Sequence, residues 1–354
     1  MFAYMQAVKT RLIHYLEEYF AALGPGFGAV NSWGPDALER LLDYTGGGKM
    51  IRGGLVSFTH DMYGGSFPEA AAAAGAAMEL FQSAFLIHDD IMDRDETRRG
   101  KPALHAGYAA LAREARLHDP AHTGEALGIC AGDLALFIAF DILSGLRVDG
   151  GVKSRLLSRF CRELEYVGLA QMADVYQGAS ESGLAPENIL ALYRYKTGRY
   201  TFSLPFAAGL ILAGRDEALV NQFVLLGEKM GVLFQIKDDE LGLWADEKKL
   251  GKPVGSDIAE NKKTLYREIL FNRAGGDAKK KLETIFGKPL PAPGDIAFVL
   301  EQMQAHNVRA KAAETSAAFY REAQALIAGL PPGTSPVWMQ RLRELLDYNM
   351  NRGN

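Results

Sequence analysis

The chain has 354 residues, of which 48% are hydrophobic and 23% are charged. This composition supplies a large apolar core and excludes a predominantly disordered chain. The formal net charge of −4 excludes a global positive field that would attract nucleic acid or anionic membrane. Only Cys130 and Cys161 are present, which excludes a disulfide framework and a cysteine zinc site and favours a reducing cytoplasm.

The N-terminal residues lack the pattern of a signal peptide, and no apolar run approaches the ~18 residues of a membrane span. The longest candidate, residues 126–140, is interrupted by Asp133. We therefore expect a soluble, cytoplasmic protein without a transmembrane segment.

Apolar residues recur at spacings of three and four along almost the whole chain, which predicts an all-α protein. The alanine-rich residues 70–77 predict a tightly packed helix, because alanine has the highest helix propensity. Short Gly- and Pro-rich breaks divide the chain into a bundle of roughly a dozen helices. None of these breaks is long enough for a domain linker, so we predict a single domain over residues 1–354. The predicted breaks are residues 24–28, 45–48, 64–65, 145–151, 183–186, 251–255 and 330–336.

The first group of candidate site residues is an aspartate cluster near the end of a predicted helix. Asp89, Asp90 and Asp93 lie within five residues, so their carboxylates share about one turn of one helix face. Ionised carboxylates in such a stripe repel one another unless cations neutralise them, and hard oxygen ligands suit Mg²⁺. The alternative is a solvated acidic surface that pairs with nearby arginines.

A second aspartate pair, Asp238 and Asp239, precedes a glycine-rich, lysine-bearing segment over residues 251–264. Carboxylates that bind Mg²⁺ on one side and ammonium groups on the other are what a metal-bridged diphosphate requires. This pair alone is also compatible with an exposed surface. Two such clusters, each following an apolar helical stretch, favour a diphosphate site.

Lys49 and Arg52 form a basic cluster at a predicted, glycine-rich helix start, which is a suitable cradle for an anion. The cluster is not a P-loop. A P-loop requires a glycine at position 43 and a serine or threonine at position 50, where this chain has Asp43 and Met50.

These motifs occur in a defined order along the chain: Gly48-Lys-x-x-Arg52, His88-Asp-Asp-x-x-Asp93, Arg98-Arg-Gly100, Lys196-Thr-Gly198, Phe234-Gln-x-x-Asp-Asp239 and Gly251-Lys252. In combination they resemble the trans-isoprenyl diphosphate synthases of the polyprenyl synthetase family, most of all the short-chain geranylgeranyl and farnesyl diphosphate synthases. The order and spacing match from about residue 45 to residue 265.

The resemblance implies an all-α isoprenoid synthase fold, in which mostly antiparallel helices surround a deep central cavity, and it implies a homodimer. It also implies a prenyltransferase that condenses isopentenyl diphosphate head-to-tail with an allylic diphosphate, namely dimethylallyl, geranyl or farnesyl diphosphate. Three Mg²⁺ ions per active site are implied as the cofactor.

By the same resemblance, the aspartates hold the metal ions. Asp89 and Asp93 match the ligands of two Mg²⁺ on the allylic diphosphate, and Asp238 matches the ligand of a third. Asp90 and Asp239 match residues that mainly accept hydrogen bonds behind these ligands.

The resemblance also assigns the residues that bind each diphosphate. The set for isopentenyl diphosphate is Lys49, Arg52, Gln82 and Arg99. The set for the allylic diphosphate is Arg98, Lys196, Lys252 and, at the rim, Lys262. The residues that match the lining of the cavity are Gln171 and Asp174.

Cleavage of the allylic C–O bond leaves a carbocation, which needs a dry pocket with oriented dipoles and no nucleophile. We expect the backbone carbonyls of Lys196 and Thr197 and the amide of Gln235 to supply these dipoles. The proton lost after the attack of isopentenyl diphosphate goes to the released diphosphate, so no histidine or glutamate base is required.

The second aspartate motif departs from the family pattern, because Gly242 stands where the third aspartate is expected. The first aspartate of the motif is retained as Asp238, and Asp246 is close enough in sequence to contribute at the rim. We therefore expect activity to be retained.

Product length depends on the residues that precede the first aspartate. In the family, aromatic residues at the fourth and fifth positions before it stop growth at fifteen carbons. This chain has Phe85 at the fourth position but Ala84 at the fifth, so we predict one further unit and a geranylgeranyl (C20) product. Phe81, one turn earlier, or a neighbouring helix is expected to form the deeper barrier.

Several alternatives stay open. A farnesyl (C15) or a C25–C30 prenyl diphosphate synthase differs only in product length. A non-catalytic subunit of a prenyl synthase would be expected to lose one aspartate cluster, whereas both are present here. A terpene cyclase is disfavoured, because it has no need of the second diphosphate site formed by Lys49, Arg52 and Gln82.

Overall fold

The structure is a computed structural model that describes residues 1–244 and 255–352. These residues are almost entirely helical, which confirms the predicted all-α class. The helices of the N-terminal half are α1 (Phe2–Val30), α2 (Trp33–Gly46), α3 (Ile51–Met62), α4 (Pro68–Met92), α5 (Leu104–Glu114), α6 (Pro120–Ser144) and α7 (Gly150–Ala179).

The later helices include one of unusual type. Residues Tyr193–Ser203 form a π-helix, in which backbone hydrogen bonds span five residues instead of four. The other later helices are α8 (Pro186–Leu192), α9 (Leu204–Leu212), α10 (Glu217–Trp244), α11 (Ser256–Ala259), α12 (Leu265–Arg273), α13 (Gly276–Ile285), α14 (Pro293–Ala305), α15 (Val308–Ala328) and α16 (Pro336–Asn351).

The described residues divide into two compact units. The first comprises residues 1–159 and 205–220, and the second comprises residues 160–204 and 221–354 as far as they are described. The assignment of the whole chain to one domain remains a prediction.

In the first unit, α4 forms the centre of the core. It begins with Pro68 at its first turn, where a missing N–H costs nothing, and its residues 70–77 are all buried. This confirms the predicted alanine-rich packed helix. Helices α3 and α4 touch backbone to backbone, because a Cβ atom on Gly53 would lie 2.5 Å from the carbonyl oxygen of Gly75.

In the second unit, the core gathers apolar side chains of α10, α12, α13, α14 and α15. Tyr266 of α12 is almost fully buried, and its ring meets that of Trp244 edge-on with the centroids 5.3 Å apart. Ile236 of α10 is fully buried in the same cluster. This core fixes the end of α10 that carries the second aspartate pair.

Most predicted breaks are confirmed by helix ends, but the one at residues 24–28 is wrong. Helix α1 continues through Pro25 to Val30. A proline inside a helix removes one hydrogen bond and strains the preceding turn. Beyond it, the backbone of Phe27 packs so closely on α2 that a Cβ atom on Gly34 would lie 2.4 Å from the Phe27 carbonyl oxygen. We infer that this contact between the end of α1 and the start of α2 outweighs the local signal. The predicted break at residues 251–255 falls largely outside the described part of the chain.

The expectation that no segment approaches a membrane span is corrected by two helices. Within the described residues, α4 and α6 are long and apolar enough to cross a membrane by length and composition. The protein buries 83% of the apolar window of α4 and 44% of that of α6. A core helix passes the same test, so these features are weak evidence of a membrane span.

Candidate functional site

The first aspartate cluster lies at the C-terminal end of α4, in the first unit. The backbone N–H of Asp93 donates to the carbonyl of Asp89 at 2.8 Å, so the two residues are one helical turn apart as predicted. Both side chains are partly exposed, whereas Asp90 is fully buried. The first and third aspartates are therefore accessible to a cation, and the second is turned inward.

The buried carboxylate of Asp90 is held by two partners. Nε of Arg98 donates to Oδ1 at 2.6 Å with a second contact from Nη2, and the hydroxyl of Tyr44 donates to Oδ2 at 3.1 Å. Burial raises the pKa of Asp90, and Arg98 counteracts this rise. Arg98 also bonds Asp95 at 3.2 Å. Asp90 thus orients Arg98, and Tyr44 is a partner that no sequence motif indicates.

Arg98 and Arg99 lie on a two-stranded hairpin, β1 (Thr97–Arg98) and β2 (Lys101–Pro102). The turn between them is Arg99-Gly100, and both residues have positive φ, 56° and 74°. This is the requirement of a type I′ turn, so Gly100 in the second turn position is the signal that could have revealed the hairpin. Nη1 of Arg99 donates to the carbonyl of Tyr44 at 3.0 Å.

The predicted basic cluster lies at the start of α3, with Lys49 exposed and Arg52 partly buried. The structure corrects one part of its interpretation as a helix N-terminal anion cradle. The N–H of Gly53 already donates to Oε1 of the buried Glu79 of α4, at 2.7 Å. The arrangement leaves the side chains of Lys49 and Arg52, rather than this backbone amide, to bind an anion.

Arg99 and Gln82 are the other residues of the first unit that are predicted to bind isopentenyl diphosphate. The guanidinium of Arg99 reaches Gly48, where an added Cβ atom would lie 3.0 Å from Nη2. The structure thereby brings the turn of the hairpin to the start of the basic cluster. Gln82 is partly buried on α4, one turn after Glu79.

The three residues predicted to control product length also lie on α4. Phe81 and Ala84 are fully buried, and Phe85 is partly buried. The ring of Phe81 meets that of Phe140 of α6 edge-on, with the centroids 4.9 Å apart. Phe81 is therefore fixed by its packing.

In the second unit, a chain of hydrogen bonds joins the π-helix to α10. The hydroxyl of Thr197 donates to Oε1 of Gln235 at 2.7 Å, and Nε2 of Gln235 donates to Oδ1 of Asp239 at 2.7 Å. The hydroxyl of Tyr193 donates to the other oxygen of Asp239 and accepts from the N–H of Leu265 at 2.8 Å. Asp239 is thus buried and hydrogen-bonded on both oxygens, as Asp90 is.

Two of the predicted lysines of the second unit are paired with carboxylates. Nζ of Lys196 donates to Oδ2 of Asp174 at 2.5 Å, which brings together two residues of the predicted site. Nζ of Lys262 lies 2.6 Å from Oε2 of Glu260. Gln171 is partly buried on α7, one turn before Asp174. Lys252 lies outside the described residues.

Asp238 is the accessible member of the second aspartate pair, with its side chain 49% exposed. Its Oδ1 accepts a hydrogen bond from Nη2 of Arg352 at 3.1 Å, and the guanidinium carbon of Arg352 lies 3.9 Å from the centroid of the Phe234 ring. Arg352 could not be identified as a site residue from the sequence, because no motif surrounds it.

Gly242 faces a carboxylate from another element. A Cβ atom at this position would lie 3.2 Å from Oδ2 of Asp257. Burial raises the pKa of Asp239 well above its usual value, and the Asp257 carboxylate adds to this effect. Asp257 thus places a carboxylate next to Gly242, where the family pattern has the third aspartate. Asp246, which was expected to contribute there, lies outside the described residues.

We therefore expect that restoring the family aspartate by Gly242→Asp lowers stability and does not raise activity. The new carboxylate would approach that of Asp257, and like charges at such separations repel. In EDTA at pH 8 the variant should melt several degrees below the wild-type protein, and Mg²⁺ should narrow the difference. Gly242→Ala, which adds the Cβ atom without the charge, is the control. A variant that is more active than the wild-type protein contradicts this prediction.

The donor set fits Mg²⁺ bridged to a diphosphate. Among residues 1–244 and 255–352, no group of three or more His, Cys, Asp or Glu side chains is arranged to enclose a metal ion. Mg²⁺ sites of this kind use one or two carboxylates plus phosphate oxygens and water, rather than a cage of protein ligands. Asp89 and Asp93, accessible and one turn apart, supply such a pair of hard oxygen donors.

Known proteins resemble the chain along most of its length. The polyprenyl synthetase family model matches residues 35–303. The geranylgeranyl diphosphate synthase of Sulfolobus acidocaldarius is 36% identical over 241 residues, which are 67% of each chain. The farnesyl diphosphate synthase of Geobacillus stearothermophilus is 32% identical over 286 residues, which are 78% of this chain and 84% of that one.

A solved structure is similar over nearly the whole chain. It is the geranylgeranyl pyrophosphate synthase of Corynebacterium glutamicum, complexed with isoprenyl diphosphate and magnesium. The sequences are 28% identical, the TM-score is 0.89, and the match covers 99% of this chain and 98% of that one. Because the family model and relatives at least 30% identical span two thirds or more of the sequence, the chain belongs to the polyprenyl synthetase family and is a prenyltransferase of the trans-isoprenyl diphosphate synthase type.

Proposed function

We propose that this prenyltransferase condenses isopentenyl diphosphate with allylic diphosphates and that its main product is geranylgeranyl diphosphate (C20). One observation carries the activity: in both aspartate pairs the first carboxylate is accessible, while the second is buried and hydrogen-bonded. The relatives named geranylgeranyl diphosphate synthase support the product.

Asp89, Asp93 and Asp238 are the residues that we propose to hold Mg²⁺, with three ions per site. When bound, Mg²⁺ neutralises the charge that develops on the departing diphosphate. Asp90 accepts a hydrogen bond from Arg98 and orients it, and Asp239 does the same for Gln235. The magnesium named with the similar structure from Corynebacterium glutamicum supports this cofactor.

The basic side chains of the first unit divide into two sets in this proposal. Arg98 is oriented by Asp90 to bind the allylic diphosphate. The isopentenyl diphosphate set comprises Lys49, Arg52, Gln82 and Arg99. Arg99 approaches Gly48 at the start of the Lys49–Arg52 motif, which supports a shared ligand for this set.

In the second unit, the π-helix and α10 carry the groups that we propose to face the carbocation. The carbonyls of Lys196 and Thr197 and the amide of Gln235 offer dipoles without a nucleophile that could trap the cation. The hydrogen bond from Thr197 to Gln235 fixes the orientation of that amide. Lys196, held by Asp174, and Lys262 bind the allylic diphosphate. Gln171, one turn before Asp174 on α7, lines the cavity in this proposal.

Product length follows from the missing ring at position 84. Ala84 is fully buried, so a phenylalanine there would reduce the space available to a growing chain, whereas Phe81 is already packed on Phe140. A C15 product is the second candidate, because Phe85 retains one of the two aromatic positions and a farnesyl diphosphate synthase is among the relatives.

We also propose that the enzyme is a cytoplasmic homodimer. The large apolar side chains of Ile129 and Phe137 on α6 are 46% and 70% exposed, and exposed apolar surface of this kind marks interaction sites.

The test uses the purified chain with labelled isopentenyl diphosphate and dimethylallyl, geranyl or farnesyl diphosphate, with and without Mg²⁺. We expect Mg²⁺-dependent release of diphosphate and accumulation of a C20 product. A product that stops at fifteen carbons contradicts the proposed length. No turnover with any of the three primers contradicts the catalytic function and favours a non-catalytic subunit.

A further inference from the structure

Arg199 of the π-helix belongs to an ion-pair network that the proposed chemistry does not use. Its Nε and Nη2 donate to the two carboxylate oxygens of Glu163 of α7, at 2.8 and 2.7 Å. Its Nη1 donates to Glu228 of α10. The side chain of Glu163 is fully buried, and that of Arg199 is 15% exposed. One guanidinium therefore ties the π-helix to two neighbouring helices.

The surroundings restrict Arg199 further. The rings of Tyr166 and Tyr195 lie 5.4 and 5.8 Å from its guanidinium carbon, and these two rings meet each other edge-on. Burial alone would lower the pKa of Arg199, but the carboxylates of Glu163 and Glu228 more than offset this, and its pKa is raised. The guanidinium is charged and held from several sides.

Stability alone is a weak explanation of this network. Taking charges out of water is costly, and well-packed apolar residues often replace a buried ion pair without loss of stability. A bidentate Arg–carboxylate pair does, however, impose a defined direction on both side chains, because the planar guanidinium matches both carboxylate oxygens. The property that it adds is a fixed geometry.

The π-helix needs such a restraint. Helices of this type are rare, occur mostly as single turns and are frequent at functional sites. Here the π-helix lies directly on α10, because a Cβ atom on Gly231 would lie 2.0 Å from Cα of Gly198. A Cβ atom on Gly227 would lie 2.5 Å from the backbone nitrogen of Ser203. At this distance, a small shift of one backbone displaces the other.

Four residues of α10, spaced by three or four, face the π-helix in register. From one end to the other, the contacts join Glu228 to Arg199, Gly231 to Gly198, Gln235 to Thr197 and Asp239 to Tyr193. Arg199 anchors one end of this register, and the other end is the buried carboxylate of the second aspartate pair.

We infer that Arg199 is a positioning residue for Lys196 and Thr197: the Arg199–Glu163–Glu228 network keeps the π-helix in the register that aims their carbonyls and the Lys196 ammonium. This inference rests on the proposed function, because it concerns residues assigned to the carbocation and the allylic diphosphate. Misplacement of reacting groups by about 1 Å can cost on the order of 100-fold in rate.

The test compares Arg199→Met and Arg199→Lys with the wild-type enzyme, at a temperature at which all proteins are folded. We expect kcat to fall by about 100-fold in the methionine variant. The lysine variant keeps the charge but cannot form the bidentate pair, so we expect kcat to fall by about 10-fold. The KM for isopentenyl diphosphate should stay unchanged, since its proposed ligands lie in the first unit. Arg194→Met is the matched control, because Arg194 lies in the same π-helix, 3.6 Å from Glu228, but is 41% exposed.

Two further measurements separate positioning from stability. The double variant Arg199→Met/Glu163→Leu removes the buried Arg199–Glu163 pair, and Glu228 keeps Arg194 at 3.6 Å, so thermal stability should recover while kcat stays low. Hydrogen exchange of the amides of residues 193–203 should accelerate in both Arg199→Met proteins relative to Arg194→Met. Recovery of kcat in the double variant, or unchanged exchange in these amides, overturns the inference.

A failure of the proposed function is recognised separately. It shows as absence of turnover in the wild-type enzyme, whereas the exchange measurement reports on the π-helix in every case. If the wild-type enzyme is active and Arg199→Met retains full kcat, the proposed function stands and the positioning role is wrong.

Discussion

The Asp89→Asn variant is expected to lower kcat by about 10²–10³-fold, the effect of removing one group that stabilises transition-state charge. Asp89 is partly exposed at the end of α4 and lies one turn from Asp93. Asparagine keeps the shape but removes the negative charge that a hard cation prefers. The Mg²⁺ concentration for half-maximal activity should therefore rise. Steady-state rates over a Mg²⁺ titration, with both diphosphates saturating, provide the measurement.

Asp90→Asn makes the comparison sharper, because this neighbouring carboxylate is buried and bonded to Arg98 and Tyr44. Its loss should raise the KM for the allylic diphosphate, through Arg98, more than it raises the Mg²⁺ requirement. Asp277→Asn, at a fully exposed position of α13, controls for the substitution itself. If Asp89→Asn has the Mg²⁺ dependence of the wild-type enzyme, Asp89 is not a metal ligand.

The Ala84→Phe variant is expected to shift the main product from twenty to fifteen carbons. Ala84 is fully buried in α4, one residue before the partly buried Phe85, and the added ring restores the pair of aromatic residues implied by the family pattern. Phe81 cannot turn away to make room, since its ring is packed against Phe140. Chromatography of labelled products from farnesyl and geranyl diphosphate provides the measurement.

The reciprocal variant, Phe85→Ala, removes the remaining ring and should lengthen the product beyond twenty carbons. Adding a ring to a filled core commonly costs about 1–3 kcal/mol, so the melting temperature of each variant must be measured alongside. An Ala84→Phe enzyme that is folded and active, yet still makes the wild-type product, contradicts the assignment of position 84 to length control.

The helices, the aspartate clusters and the family could be predicted because their signals are local. The spacing of Asp89 and Asp93 on one turn follows from helix geometry, and the structure confirms that they lie one turn apart. The partners of the buried aspartates could not be predicted in this way. Tyr44 reaches Asp90, and Tyr193 reaches Asp239, in each case across 46 residues of sequence. Such contacts depend on how helices pack, which local sequence patterns do not reveal.

Other features had local signals that were outweighed or missed. The proline in α1 marks a break by propensity, but the contact between Phe27 and Gly34 accompanies a continuous helix. The Arg99-Gly100 turn carries the signal of a two-residue hairpin within an otherwise helical chain. The π-helix at residues 193–203 has no sequence pattern of its own, and its register on α10 is visible only from the glycine contacts and hydrogen bonds between the two helices.

The hydrogen bond from the start of α3 to the buried Glu79 of α4 bears on how the enzyme can work through repeated cycles. In head-to-tail condensation, the diphosphate of isopentenyl diphosphate becomes the diphosphate of the product. If it binds at the basic cluster, as we propose, it must leave that cluster before the next addition. Because Glu79 already occupies the N–H of Gly53, we expect the long side chains of Lys49 and Arg52, instead of this fixed amide, to hold that diphosphate. Such side chains can follow the anion as it departs. The start of α3 is therefore suited to releasing the diphosphate after each addition.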